Sequence, residues 1–342
     1  MARPVSERVI EVKRKLIDRI GQNAHQPGDR FLSNRAIADQ YGISYQTANR
    51  VMRDLVTEGH LVRRSAAGTF LPGEASRLTG ALLLFDKRAK RKESFGARLL
   101  LKLGNSLNQL RVEWSVRWMD PSAGLSKMRL PEDRLPVLWN LPNLISPILS
   151  QKRRALLLND RAPSGVEATL LDSVEVDDFS GGACAAQLLR NRSPGGKFAV
   201  VAGPLADARS TLRVQGFMSL AHGRTVGAGG WYYEHAEAIA AQAIEAGKDG
   251  IFCCNDRHAH ALIDYCKKNN LPIPPIVGFD NAPIAERLGL TTIAIPWTEL
   301  TDAAAALVRL RLRDHHSTAS HRVFAPQPIV RWVTPSRSPQ ER

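Results

Sequence analysis

Residues 27–71 read PGDRFLSNRAIADQYGISYQTANRVMRDLVTEGHLVRRSAAGTFL, and this stretch decides the architecture of the amino-terminal part. Ser33 stands where a helix N-cap belongs, ahead of a short helix, SNRAIADQY, which Gly42 ends because glycine enters the left-handed cap at no steric cost. Ser44 caps the next helix, YQTANRVMRDLVTEG. There Ala48, Val51, Met52 and Leu55 share one stripe, which leaves Tyr45, Gln46, Asn49, Arg50 and Arg53 on the opposite face. HLVRR and TFLP then alternate as strands around SAAG, with Gly68 at the hairpin tip. Upstream, Val5, Val9, Val12, Leu16 and Ile20 recur at helical spacing until Gly21 stops the pattern. Helix, helix, turn, helix and hairpin predict a winged helix-turn-helix within residues 1–72. Such a helix fits the major groove, where Gln, Asn and Arg match base-edge donors and acceptors, while the wing adds phosphate or minor-groove contacts.

The same residues resemble the DNA-binding domain of the GntR family. Its pattern, PGxxLPSxRxLAxxxGVSxxTVxxAxxxLxxEGxxxxxxGxGTFV, is met in register at Pro27, Gly28, Ser33, Arg35, Ala38, Gly42, Ser44, Thr47, Leu55, Glu58, Gly59, Gly68, Thr69 and Phe70. Asn34 replaces the usual Glu, Tyr45 and Asn49 stand where Arg is common, and Ala67 lies in a wing tip that usually has two glycines. The resemblance implies a double-stranded DNA operator as partner. It implies contacts from Ser33, Arg35, Ser44, Tyr45, Gln46, Thr47, Asn49, Arg50, Arg53, Arg64 and Gly68. Arg favours guanine whereas Asn favours adenine through N6 and N7, so the half-site is expected to move toward A·T pairs.

Composition agrees with such a partner. The net charge is +14, and residues 1–72 hold 12 Lys+Arg against 7 Asp+Glu, which rewards binding to a phosphate-lined duplex through counterion release. At 342 residues two domains are expected, and no window approaches the roughly 18 uninterrupted apolar residues of a membrane span. The polar start MARPVSERVIEVKRK lacks the apolar core of a signal peptide, so a soluble cytoplasmic protein without a membrane partner is expected. Cys184, Cys253, Cys254 and Cys266 match neither a zinc site nor a redox pair and read as reduced, buried thiols, with no metal and no cofactor expected.

After a polar linker at 73–79, apolar runs alternate with helical patterns. LTGALLLFD, WSVRWMD, LPVLWN, ALLLND, FAVVAG, GIFCCND and PPIVGFD read as strands. FGARLLLKLGNSLNQL, GGACAAQLLRNR, ARSTLRVQGFMSLAHG, HAEAIAAQAIEAG and HAHALIDYCKKNN read as helices. This predicts an α/β fold: a bilobed, doubly wound parallel-sheet domain over 80–333, followed by a polar tail at 334–342. Ligands of such folds bind beyond the strand ends, where Asp86, Asn140, Asn159, Asp160, Asn255, Asp256, Asp280 and Asn281 stand, although Asp and Asn there also cap the following helix.

DSVEVDDFSGGACAAQLL, FAVVAG followed by LRVQGF, GIFCCNDRHAHALI and IPPIVGFDNAPIAERLGLTTIAIP resemble consecutive motifs of the LacI/GalR effector domain, which is itself similar to periplasmic sugar-binding proteins. The likeness covers residues 79–333 and is poor over 86–135. It implies that Arg213 forks onto ligand hydroxyls or a carboxylate, that Asn255 and Asp280 complete the clamp, and that Asn140, Asp178 and Ser180 join them. Phe95, Trp139, Trp231 and Trp297 are available as the aromatic platform of a sugar site, Trp231 being taken into the candidate site, and the basic run Lys87 to Lys92 suits an anion or a solvated loop. GAGG at 227–230 lacks the GxGxxG spacing, and GxSxG, HExxH and P-loop motifs do not occur, so no enzyme is expected. The combination resembles arabinose-repressor-type bacterial regulators: a homodimeric repressor of carbohydrate-utilisation genes, set by a small carbohydrate effector. The competing expectation is a cytoplasmic small-molecule-binding protein without sequence-specific DNA binding.

Overall fold

The computed structural model describes residues 7–21, 29–58, 60–64, 68–71, 78–92, 94–121, 130–162, 169–314 and 318–332. The amino-terminal head comprises α1 (Glu7–Gly21), α2 (Asn34–Tyr41), α3 (Tyr45–Thr57) and an antiparallel hairpin of β1 (Val62–Arg64) and β2 (Gly68–Phe70). The expected caps form: the Ser33 hydroxyl accepts from the Ala36 amide at 3.1 Å and the Ser44 hydroxyl from the Thr47 amide at 3.1 Å. Gly42 closes α2 in the left-handed region at φ 57°. The stripe facing inward from α3 joins Val12, Leu16, Phe31, Ile37, Leu61 and Leu71 in one core. Val5 and Ala67 lie outside the described residues.

The rest of the chain builds two lobes. In the first lobe lie β3 (Gly80–Asp86), α4 (Phe95–Gln109), β4 (Glu113–Met119), β5 (Arg134–Trp139), α5 (Ile145–Ser150), β6 (Ala155–Leu158) and β7 (Leu171–Val176). The second lobe follows with α6 (Asp178–Arg192), β8 (Phe198–Ala202), α7 (Ala208–Leu220), β9 (Gly223–Gly227), α8 (Tyr233–Glu237), α9 (Ala240–Ala246) and β10 (Gly250–Cys253). It is completed by α10 (Asp256–Lys268), β11 (Ile276–Asp280), α11 (Pro283–Arg287) and β12 (Thr291–Ala294). The chain then returns to the first lobe with α12 (Trp297–Arg313) and β13 (His321–Phe324) and ends in the second with β14 (Gln327–Ile329).

One sheet runs β13-β7-β6-β5-β3-β4, all parallel, and the other β14-β12-β11-β10-β8-β9, parallel except for the β12–β14 pair. The two-lobed, doubly wound α/β architecture expected from the sequence is the one observed. Every stretch read as a strand is one, but β7, β9, β12, β13, β14 and the long α12 were not read. HAEAIAAQAIEAG, read as one helix, is α8 and α9, because Ile239 leaves helical geometry at φ −115° and packs on the second lobe's core. All four cysteines are free thiols, and burial pushes each of them up. Among the described residues, no helix is long and apolar enough to cross a membrane.

Candidate functional site

A cavity of about 380 Å³ lies between the lobes, lined by strand ends from both. Asn140 follows β5, Asn255 follows β10 and Asp280 ends β11, as the crevice beyond parallel strand ends requires. The backbone is held in rare conformations there: Asn140 has φ 57° and Asp280 φ 101°, a region that costs a side-chain-bearing residue energy and that clusters at functional sites.

Arg213, on α7, is 3% exposed and forms the centre of the floor. Its Nε donates to Asp178 Oδ1 at 2.7 Å, its Nη1 to the Cys254 carbonyl at 2.5 Å and, at 3.5 Å, to Asp280 Oδ1. The guanidinium also stacks on Phe279, 3.6 Å from the ring centre. This geometry depends on glycine. A Cβ on Gly216 would lie 1.9 Å from the Phe179 carbonyl oxygen, and one on Gly182 would lie 2.0 Å from the Arg213 carbonyl oxygen. The α6 and α7 backbones therefore touch, which brings Asp178 against Arg213.

Arginines also bridge the lobes. Arg209 Nη2 donates to Asn140 Oδ1 at 2.8 Å, Arg98 Nη1 to the Asn281 carbonyl at 2.7 Å, and Arg91 Nη1 to Glu234 Oε1 at 3.1 Å. Arg91 lies over the Tyr232 ring at 4.1 Å as well. The run from Lys87 to Lys92 is thus not a free solvated loop: Lys87 pairs with Asp120, Arg88 Nε bonds Asp86 Oδ2 at 2.6 Å, and Arg88 lines the cavity.

Of the effector residues expected from sequence, Arg213, Asn255, Asp280, Asn140 and Trp231 line this one cavity. Asp178 and Ser180 do not. Asp178 sits beneath Arg213 and holds it, while Ser180 Oγ donates to Asp177 Oδ2 at 2.6 Å in the first turn of α6. Asn255 is chiefly a helix cap: its Oδ1 accepts from the His258 amide at 2.8 Å and its Nδ2 donates to the Trp231 carbonyl at 2.8 Å. Phe95, Trp139, Trp231 and Trp297 all reach the wall. Sequence reasoning missed Arg98, Arg209 and Tyr232 as wall residues, and no local pattern separates them from other surface side chains.

Asp160, at the end of β6, accepts from the Asn140 amide at 3.1 Å. Burial pushes its carboxyl up from 3.8 to about 6, although Arg209 pulls the other way. The folded state therefore holds this proton more tightly than the unfolded chain does. Its contribution to stability is complete below the unfolded value and is lost as pH rises through about 6. Asp160→Asn mimics the protonated form and keeps the acceptor. It should raise the unfolding temperature at about pH 8, worth up to about 3 kcal/mol, and do less at about pH 5. Thermal unfolding across that range checks it, and equal effects at both ends would contradict the assignment.

In the head, Tyr45, Gln46, Arg50 and Arg53 are exposed along α3, and Arg35 is exposed on α2. Ser33 and Ser44 spend their hydroxyls on caps, and Ser44 Oγ also meets Thr47 Oγ1 at 2.8 Å. Gly68 opens β2 at φ 115°, and the Arg64 side chain lies outside the described residues. Two departures from the family pattern meet: Asn34 Nδ2 donates to Asn49 Oδ1 at 3.0 Å. That oxygen is the atom Asn49 would use to accept from adenine N6, so bidentate adenine readout requires this bond to open or be shared.

These observations define a class: a winged helix-turn-helix joined in one chain to a bilobed domain with a ligand-sized cleft. Residues 9–71 match the bacterial regulatory proteins of the gntR family, and residues 196–332 match the periplasmic binding protein-like domain. The chain thus joins a head that matches the gntR family to a domain that matches the periplasmic binding protein-like domain. It is 38% identical over 79 residues to the histidine utilization repressor of Klebsiella aerogenes, covering 23% of this chain and 31% of that protein. To the probable fructoselysine utilization operon transcriptional repressor of Escherichia coli (strain K12) it is 32% identical over 72 residues, covering 21% and 29%. The chain thus spans about a third of the length of the curated relatives it matches. Its fold is that of a LacI family transcriptional regulator from Enterococcus faecium with bound ribose (TM-score 0.64, 20% identity, 74% of this chain and 98% of that one). It is likewise that of the transcriptional regulator CelR in a cellobiose complex (TM-score 0.62, 17% identity, 97% and 100%).

Proposed function

We propose that this chain is a ligand-responsive transcription regulator, a cytoplasmic homodimer that represses carbohydrate-utilisation genes through an operator in double-stranded DNA. The boundaries that go with this reading are 1–72 for the head, 73–79 for the linker, 80–333 for the effector domain and 334–342 for the tail. One observation carries it: an exposed polar face on α3 and a cleft bridged by cross-lobe arginine bonds occur in one chain. A ligand that enters the cleft competes for or completes those bonds, so it changes the placement of one lobe against the other. In a dimer such a shift alters how two heads meet two half-sites. The related proteins named as utilisation repressors and the sugar-bound structures of like fold support the same reading.

Arg213, Asp280, Asn140, Asn255 and Trp231 are the proposed ligand-contacting residues, with Asp178 positioning Arg213. Arg35, Tyr45, Gln46, Asn49, Arg50, Arg53 and the wing around Arg64 and Gly68 face DNA. Ser33 and Ser44 act through the helix starts they cap, and Thr47 through its bonds to Ser44. The test is duplex binding by Arg35→Ala and Arg50→Ala over about 50 to 200 mM salt. Each should weaken binding and reduce the salt slope by about one. An unchanged slope in both would mean that this face points away from DNA, and no binding by the wild-type chain would favour a pure ligand-binding protein.

A further inference from the structure

The polar groups around the cleft are unevenly committed. Asn140 donates from Nδ2 to Asp86 and accepts at Oδ1 from Arg209, Asn255 caps α10, and Asp256 accepts from the Ala282 amide and from Thr292 Oγ1, both at 2.6 Å. Arg209 is locked to Asp207, which also accepts from Trp231 Nε1 at 2.9 Å, and Trp297 Nε1 donates to the Asp280 carbonyl at 3.1 Å. What stays open is donor-rich. Among the described residues, Arg213 keeps Nη2, and Arg98 keeps both Nε and Nη2, because its one hydrogen bond there runs from Nη1 to the Asn281 carbonyl. Among the lining carboxylates, Asp280 alone keeps open oxygens, its contact to Arg213 being 3.5 Å long.

Arg98 is the exceptional group. It stands in the first turn of α4 with its guanidinium 4.6 Å from the Trp297 ring centre, and half-buried. Arg88, Arg209 and Arg213 each hold a carboxylate, but Arg98 has none within ion-pair distance among the described residues. Burial lowers its pKa, although Asp280 and Asp256 pull the other way across the cleft without reaching ion-pair distance. A half-buried, unpaired guanidinium fork beside a cavity matches a planar oxyanion. Beside it Phe95 lies 4.8 Å from Trp297 and 6.4 Å from Trp139, ring centre to ring centre, an aromatic wall against which the apolar C–H face of a pyranose packs.

We propose that the effector is a sugar acid of about hexose size, whose carboxylate is read by Arg98 while its ring lies along the Phe95–Trp297 wall and Asp280 accepts from a hydroxyl. This rests on the regulator reading of the same cleft and narrows it from carbohydrates at large to anionic ones. A ligand carboxylate gives the Arg98 fork the direct ion-pair partner that it lacks among the described residues, whereas a neutral sugar leaves Arg98 only the longer-range pull of Asp280 and Asp256.

The experiment is calorimetric titration of the full chain with glucuronate, galacturonate, their uncharged amides, glucose, ribose and glucose 6-phosphate. Wild type, Arg98→Met, which keeps the apolar stack, and Arg98→Lys, which keeps the charge, are compared, with thermal unfolding as the check on folding. A uronate should bind at least about tenfold more tightly than its amide, that ratio should fall to near one in Arg98→Met, and Arg98→Lys should restore part of it. Equal or tighter binding of amide or neutral sugar, tighter binding of the phosphate, a ratio that survives Arg98→Met, or no binding of either uronate would overturn the proposal. Duplex binding measured on the same samples separates the two readings. A neutral ligand that still changes DNA affinity leaves the regulator standing and removes the sugar acid.

Discussion

Arg213→Ala is expected to lower the stability of the effector domain by about 3–5 kcal/mol and to weaken effector binding by at least about tenfold. The stability loss follows from what the guanidinium leaves behind. Asp178, 4% exposed, loses the partner at 2.7 Å, the Cys254 carbonyl loses its donor, and the Phe279 face loses its stacked cation. A buried carboxylate deprived of its ion-pair partner is costly even though the intact pair contributes little net stability. Asp178→Asn in the same chain should therefore recover part of the loss, because it removes the stranded charge. Denaturant unfolding of the two single variants and the double variant measures this. Equal destabilisation in Arg213→Ala and in the double variant would show that the pair is not what holds the floor together.

Gly216→Ala, and separately Gly182→Ala, should cost about 3 kcal/mol or more and abolish effector binding, despite adding a single methyl group. At 1.9 Å and 2.0 Å from carbonyl oxygens of the facing helix, the new Cβ meets backbone rather than a movable side chain. Overpacking a flexible core contact costs about 1–3 kcal/mol, and here the only relief is to separate α6 from α7. That separation also pulls Asp178 away from Arg213, which couples the packing of the helices to the chemistry of the cleft. Gly229→Ala serves as the control for glycine content: nothing lies near its Cβ, although its φ of 73° makes some strain expected. The account fails if Gly216→Ala unfolds no earlier than Gly229→Ala in a thermal scan.

The head was legible because its determinants are local. Ser33, Gly42 and Ser44 mark helix ends within three or four residues of the bonds they make, and the stripe of Ala48, Val51, Met52 and Leu55 needs only helical periodicity. The buried strands were legible as uninterrupted apolar runs. β7 was not, because Asp172, Ser173 and Glu175 are buried polar residues inside it, and Asp172 and Ser173 find their partners far along the chain. Asp172 holds Arg311 with bonds of 2.7 and 2.6 Å across 139 positions, and Arg311 interrupts the apolar pattern of α12, which hid that helix too. β9 and β13 lie at sheet edges with exposed side chains and carry little hydrophobic signal.

The cleft was legible in outline and misread in its division of labour. Of the strand-end Asn and Asp residues, Asn140, Asn255, Asp256 and Asp280 line the cleft, but only the tertiary structure distinguishes Asn255, spent on the start of α10, from Asp280, whose carboxylate stays open. Arg98 of α4 and Arg209 of α7 could not be foreseen, since their significance lies in partners on the opposite lobe: Asn281 for Arg98 and Asn140 for Arg209. The pairing of Asn34 with Asn49 is of the same kind, two departures from a family pattern that become one hydrogen bond.

The central claim is that one chain couples the cleft to DNA, and reciprocal linkage tests it directly. The full chain is titrated onto a labelled duplex from its gene's own upstream region, with and without a saturating cleft ligand chosen by its shift of the unfolding temperature. Ligand affinity is then measured with and without that duplex. The account predicts that ligand changes DNA affinity by at least about fivefold and that DNA changes ligand affinity by the same factor in the same sense. A ligand that fills the cleft while duplex affinity stays the same would contradict it.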